Sequence, residues 1–91
     1  MTNLSHEDML RLKENVEAFE LIKLNLIIVN PIFSKNEMQL FVDKITTAII
    51  LTNYIIENYR YMPHETYIIL LRLTGEFAED VTKAILFQKK E

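Results

Sequence analysis

The residues best equipped for chemistry in this chain are two sets of carboxylates. Glu14, Glu17 and Glu20 recur at every third position, and Glu76, Glu79 and Asp80 form a second set more than fifty positions later. On helices, residues three or four apart share a face, so each set can line up its side chains. Oxygens of this kind suit a hard cation such as Mg²⁺, provided they converge with the oxygens of a substrate phosphate. No basic residue is evidently placed to support such a phosphate, and a solvated acidic helix face is the better reading of both sets.

All-helical nucleotide pyrophosphatases of the MazG type hold Mg²⁺ with ExxE and ExxD pairs on adjacent helices of one hairpin. The wide gap between Glu20 and Glu76 departs from that pattern, so a metal-dependent nucleotide hydrolase stands only as an alternative. His64-Glu65-Thr66-Tyr67-Ile68 starts like the zinc-protease signature H-E-x-x-H, but Ile68 stands where the second histidine ligand belongs. His6 has no partner in the sequence. A single glycine cannot build a phosphate-binding loop, and there is neither a cysteine nucleophile nor a G-x-S-x-G turn. A helix-turn-helix centred on Gly75 would put Leu71 where a small residue is usual. It would also open its recognition helix with Glu76, Glu79 and Asp80, which phosphates repel. We therefore assign no catalytic, cofactor or metal residues and read the chain as non-enzymatic.

The bulk properties agree with an interaction protein. At 91 residues the chain reads as one helical domain over 1–91, of a size that hides only about 60–65% of its unfolded surface. No disulfide can help it, so packing must hold it together. Hydrophobic residues make up 49% against 25% charged, more apolar material than a single three-helix core needs. The net charge of −3 lacks the clustered Lys and Arg that duplex binding requires, so no nucleic-acid partner is expected. The acidic, polar opening MTNLSHED is unlike a secretory leader. The uncharged runs Leu24–Ser34 and Ile45–Ile56 are too short for a membrane span of roughly 20 residues. A cytoplasmic protein is the resulting expectation.

Three helical segments would position these residues. With only one Gly and two Pro, long elements and few turns are expected. The central segment, Ser34–Arg60, carries Met38, Phe41, Ile45, Ala48, Thr52, Ile55 and Tyr59 at helical spacing, with Leu40, Leu51 and Tyr54 widening the stripe. Ser34 and Glu37 form a capping box at its start. A first helix over about 5–29 starts at Ser5, with Met9, Leu12, Val16, Phe19, Ile22, Leu26 and Val29 on its core line. Glu7–Arg11 and Lys13–Glu17 are candidate surface pairs on it. From Phe19 onward this segment is apolar nearly all round until Asn30-Pro31 ends it. Its β-branched content makes a strand pairing with Thr66–Leu73 the competing assignment. Ile32 and Phe33 should plug the gap between helices.

A third helix over about 63–89 has Pro63 as its first helical residue and carries Leu70, Leu73, Phe77, Val81 and Ala84 or Ile85 on one line. The register favours continuity across Gly75, a residue that would let two backbones approach closely; the alternative is a break there. Lys89 and Lys90 close it with the sign that suits the dipole. The expected fold is all-α, an antiparallel up-down-up bundle of three helices that dimerises.

The apolar surplus falls chiefly on Leu21, Leu24, Ile28 and the run Ile68–Leu71. Tyr54, Tyr59, Tyr61 and Tyr67 gather near the second link, as packing at a bundle end or as an aromatic hot spot. Leu21, Leu24, Ile28, Tyr54, Tyr61, Tyr67, Ile68 and Leu71 are thus the interface candidates. The leading functional expectation is a small adaptor, inhibitor or regulator, with a mobile element as one candidate origin. It would act by helical docking on a protein partner, with a homodimer the simplest form. An immunity-type protein guarding against a membrane-active toxin is an alternative resting only on shared size and helical class with bacteriocin immunity proteins.

Overall fold

The computed structural model describes residues 2–28 and 33–88. Three helices run up-down-up: α1 (His6–Ile28), α2 (Lys35–Asn58) and α3 (His64–Gln88), with a 3-10 turn at Tyr59–Tyr61 between the last two. α2 packs along both of its neighbours, which touch each other little. No strand occurs among the described residues. Phe19–Ile28 is helical, so the apolar spacing begun at Met9 outweighs the β-branched content of the segment. Val29 and Ile32, assigned above to the first helix and to the plug, lie outside the described residues, as do Lys89 and Lys90.

The start signals are satisfied by side chains. The Ser5 hydroxyl accepts from the Asp8 amide at 3.1 Å, and the Asp8 carboxylate accepts from the Ser5 amide at 3.3 Å. Ser34 and Glu37 exchange the same two bonds, both at 3.1 Å, forming the expected capping box. Each arrangement satisfies amides that the helix itself leaves unpaired, a contribution of about 1 kcal/mol. Pro63 sits one position earlier than expected. Its carbonyl accepts from the Tyr67 amide at 3.1 Å, so it caps α3 instead of forming its first residue.

The interior divides into two clusters. Phe19 and Leu26 of α1, Ile45 and Ala48 of α2, and Ala78 and Val81 of α3 form one, with Phe33, Phe41 and Phe77 packed on its edge. Phe33 does plug the first link, its ring 4.9 Å from that of Phe41. Leu12, Ile55 and Met62 form the other cluster, lined by Leu4, Tyr59, Tyr67, Leu70 and Leu71. An N-terminal strap closes this second end. Buried Thr2 donates to the Met62 carbonyl from its amide at 3.2 Å and from its hydroxyl at 3.0 Å.

Three expectations about faces need correction. Leu40 and Tyr54 of α2 are exposed, because α1 and α3 both cover the side of α2 that carries Ile45, Ala48, Thr52 and Ile55, and those two side chains project from the opposite side. On α3 the buried line is rotated so that Thr74 and Ala78 join Val81 at the centre, while Leu70, Leu73 and Phe77 line its flanks. Helix α3 is continuous through Gly75, but this glycine is exposed and a Cβ built on it meets nothing within 4 Å. It makes no close approach; the small residues facing the core are Ala48 and Ala78.

The two buried threonines inside helices are tolerated because each hydroxyl bonds its own helix. Thr52 donates to the Ala48 carbonyl at 2.7 Å and Thr74 to the Leu71 carbonyl at 2.9 Å. Among the described residues no buried side-chain polar atom lacks a partner, the condition for burying a hydroxyl cheaply.

Candidate functional site

The surface most in need of explanation is the outer side of α1. Leu12, Phe19 and Leu26 point into the core, and half a helical turn away runs the line Leu10, Glu14, Glu17, Leu21, Leu24, Ile28. Its first half is polar apart from Leu10. Its second half is apolar: Leu21 is 64% exposed, Leu24 52% and Ile28 71%, and Ile27 beside them is 54% exposed. Four large aliphatic side chains within eight consecutive residues therefore face solvent together. Scattered exposed leucines are ordinary, whereas a contiguous group is the mark of a covered surface. Ile27 was not among the sequence candidates. The signal was available, since it follows Leu24 by three positions and so shares its side of the helix.

The other candidates are dispersed. Tyr54 is exposed on the outside of α2 with Leu40 and Ile50, but Asp43 and Thr47 interrupt their line. Tyr61 is exposed in the 3-10 turn, and Ile68 is exposed near the start of α3 beside Ile69. Tyr67 and Leu71 are half-buried and pack against Leu12, Ile55 and Met62, so their surface is committed to the second core cluster. Burial, with the Asp8 charge nearby, pushes the Tyr67 phenol above its ordinary range. The structure thus brings Leu21, Leu24 and Ile28 together, while Tyr59 and Tyr67 pack on the second core cluster and Tyr54 and Tyr61 stand exposed.

The bundle end near the second link holds an open cleft of about 350 Å³ lined by Met9, Lys13, Ile56, Glu57, Tyr59, Arg60 and Tyr61. Arg60, in the 3-10 turn, turns back on its neighbour Tyr59. Its Nε donates to the Tyr59 hydroxyl at 3.2 Å, and its guanidinium lies 5.6 Å from that ring's centre. The hydrogen bond, then the tyrosine's charge, raises the guanidinium's pKa. Its walls mix both charges with apolar groups and define no single ligand chemistry.

The two acidic sets form no common metal-holding cluster among the described residues. Glu14, Glu17 and Glu20 are exposed along α1. On α3, Asp80 meets Lys44 of α2 at 3.0 Å and Glu79 meets Lys83 at 2.7 Å. Glu79 raises the Lys83 pKa, first through this hydrogen bond and then through its charge. Neither Glu7–Arg11 nor Lys13–Glu17 is among the ion pairs formed by the described residues. No group of three or more His, Asp or Glu among those residues converges in a way that could hold a metal ion. His64 lies against Tyr67, ring centres 5.9 Å apart. No helix among the described residues is long and apolar enough to cross a membrane.

Comparison with protein-family models, with curated proteins and with solved structures gives no match to this chain. The molecule is defined by its architecture, a small all-α bundle of three helices.

Proposed function

We propose that this chain is a small, non-enzymatic interaction module of the cytoplasm, an adaptor, inhibitor or regulator that works by docking a helix face on protein. The observation that carries this reading is the apolar group Leu21, Leu24, Ile27 and Ile28, all more than half exposed on one side of α1. Covering apolar area is worth about 25 cal/mol per Å², and a group of this kind in the centre of a contact is where binding energy concentrates. The mixed charges around it, Glu20 and Lys23 among them, supply the polar rim that limits indiscriminate sticking.

Sedimentation velocity at micromolar concentration together with binding of a hydrophobic dye tests the reading. Either self-association or dye bound by a well-folded monomer is the expected result, and Leu24→Glu should reduce whichever occurs while circular dichroism stays unchanged. A strict monomer that binds no dye would remove the basis for docking altogether.

A further inference from the structure

We propose that residues 2–5 are a strap that opens and closes over the second core cluster while the three helices stay packed. The proposal does not depend on the docking role, because Leu21, Leu24 and Ile28 lie toward the far end of α1.

The strap is held at one point. Pro63 keeps the residue before it out of the helical region, and Met62 is extended, with φ −102° and ψ 131°. Its carbonyl is thereby left outside both flanking helices, although Met62 is only 4% exposed. A carbonyl buried in this way needs donors, and Thr2 supplies them, its amide at 3.2 Å and its hydroxyl at 3.0 Å. The rest of the strap adds little: Asn3 is exposed, and Leu4 packs half-buried on the cluster. Thr2, Asn3 and Leu4 belong to no helix, and fixing such residues costs conformational entropy. Two hydrogen bonds and one half-buried leucine offset that cost by a small margin.

The hinge is at Ser5. Helix α1 needs nothing from the strap to start there, since Ser5 and Asp8 exchange two hydrogen bonds and the Ser5 carbonyl accepts from the Met9 amide at 3.0 Å. These bonds are local to the helix start and survive release of Thr2. Nor does the bundle hang on the strap. The first cluster has six buried residues drawn from all three helices, whereas the second has three, Leu12, Ile55 and Met62. Ile56 and Tyr59, packed on the second cluster, also line the open cleft, so this end is close to solvent on another side as well. Few buried contacts under a short cover mark a segment that opens below the free energy of global unfolding. Release uncovers Met62, the one buried residue of the link between α2 and α3.

The chain has no cysteine, so a thiol placed at Met62 reports the opening without background. Val81, fully buried in the first cluster, gives the reference position. With a slow alkylating reagent, modification follows the population of the open form. The Met62→Cys thiol should be modified faster than the Val81→Cys thiol by about tenfold or more. Its rate should also rise far less steeply with urea, since that slope scales with the surface exposed. Adding Thr2→Pro removes both donors to the Met62 carbonyl. It should speed modification of Met62→Cys by about another tenfold, while circular dichroism shows the helices intact. Peroxide oxidation of Met62 in the unsubstituted chain, followed by mass spectrometry of its peptides, should show the same shallow urea dependence. That measurement decides the matter if Met62→Cys does not fold. Equal rates and slopes at the two thiols, or an oxidation rate as steep in urea as global unfolding, would mean that the strap opens only with the whole chain. Fast modification that Thr2→Pro leaves unchanged would place the opening elsewhere in the link. Loss of helix in Thr2→Pro would make the strap part of what holds the bundle together. Each of these results overturns the proposal.

Discussion

Two leucines two positions apart on α1 have opposite fates. Leu26 is 1% exposed and sits in the core cluster with Phe19, Ile45 and Val81, while Leu24 is half exposed on the outer side. Residue type and local sequence are nearly the same; the two hundred degrees of helical rotation between them separates their environments. The lesson is that apolar content in this helix falls in two environments. The inner face holds the chain together, and the outer face leaves its side chains in solvent, the surface that the proposed docking role would cover. Hydrophobicity alone does not say which is which, but position on the helix does.

The sharpest way to break that contrast is to truncate both residues. Leu26→Ala should cost about 2–5 kcal/mol of folding stability, from lost transfer energy plus the cavity left behind. Leu24→Ala should change the folding stability of the dilute monomer by less than about 0.5 kcal/mol. Urea unfolding followed by circular dichroism at low protein concentration measures both. Equal losses would mean that the outer face is as much a part of the core as the inner one.

The division between faces was legible in the sequence for α1, because Leu12, Phe19 and Leu26 repeat every seven residues and fix a single inward direction. Leu21, Leu24 and Ile28 are then outward by elimination. It was less legible for α2 and α3. The stripe on α2 is wide in sequence, and only the placement of α1 and α3 on one side of it exposes Leu40 and Tyr54. On α3, reading by hydrophobicity passed over Thr74, which is buried with its hydroxyl satisfied by the Leu71 carbonyl. The Thr2 strap was invisible for another reason: its partner, the Met62 carbonyl, lies sixty positions away in a turn with no signature of its own. The capping boxes, whose partners lie three residues apart, were the easiest features to read.

The strap offers the next test of what is inside. Thr2→Ala keeps the amide bond to Met62 and removes only the hydroxyl's, so a loss of about 1 kcal/mol is expected. Its effect should fall on the second cluster, and amide exchange around Met62 should rise more than around Ile45. A change of similar size in the opposite direction is expected on the outside. Gly75→Ala adds a methyl to an exposed helical position with open space around it and should stabilise the chain by about 1 kcal/mol. A loss of stability there would show that something packs closely on Gly75, such as an associated chain, and would extend the covered surface to α3.

The smallest effect compares two ion pairs that share the outside of α3. Lys44–Asp80 ties α2 to α3 and has the less exposed lysine, 29% against 59% for Lys83 in the Lys83–Glu79 pair within one helix. Holding two helices together gives the first pair a tertiary role, but Asp80 is half exposed and solvent screens most of the attraction. Asp80→Asn should therefore cost no more than about 1 kcal/mol, and Glu79→Gln only a few tenths. Both losses should shrink in 1 M salt, where the screening length falls to about 3 Å. The aliphatic stem of Lys44 stays in place in Asp80→Asn and the asparagine oxygen can still accept from its ammonium, so the part of the loss that disappears in high salt measures the charge. A salt-independent loss well above 1 kcal/mol would make this edge of the bundle structurally closer to the Leu26 face than to the Leu24 face.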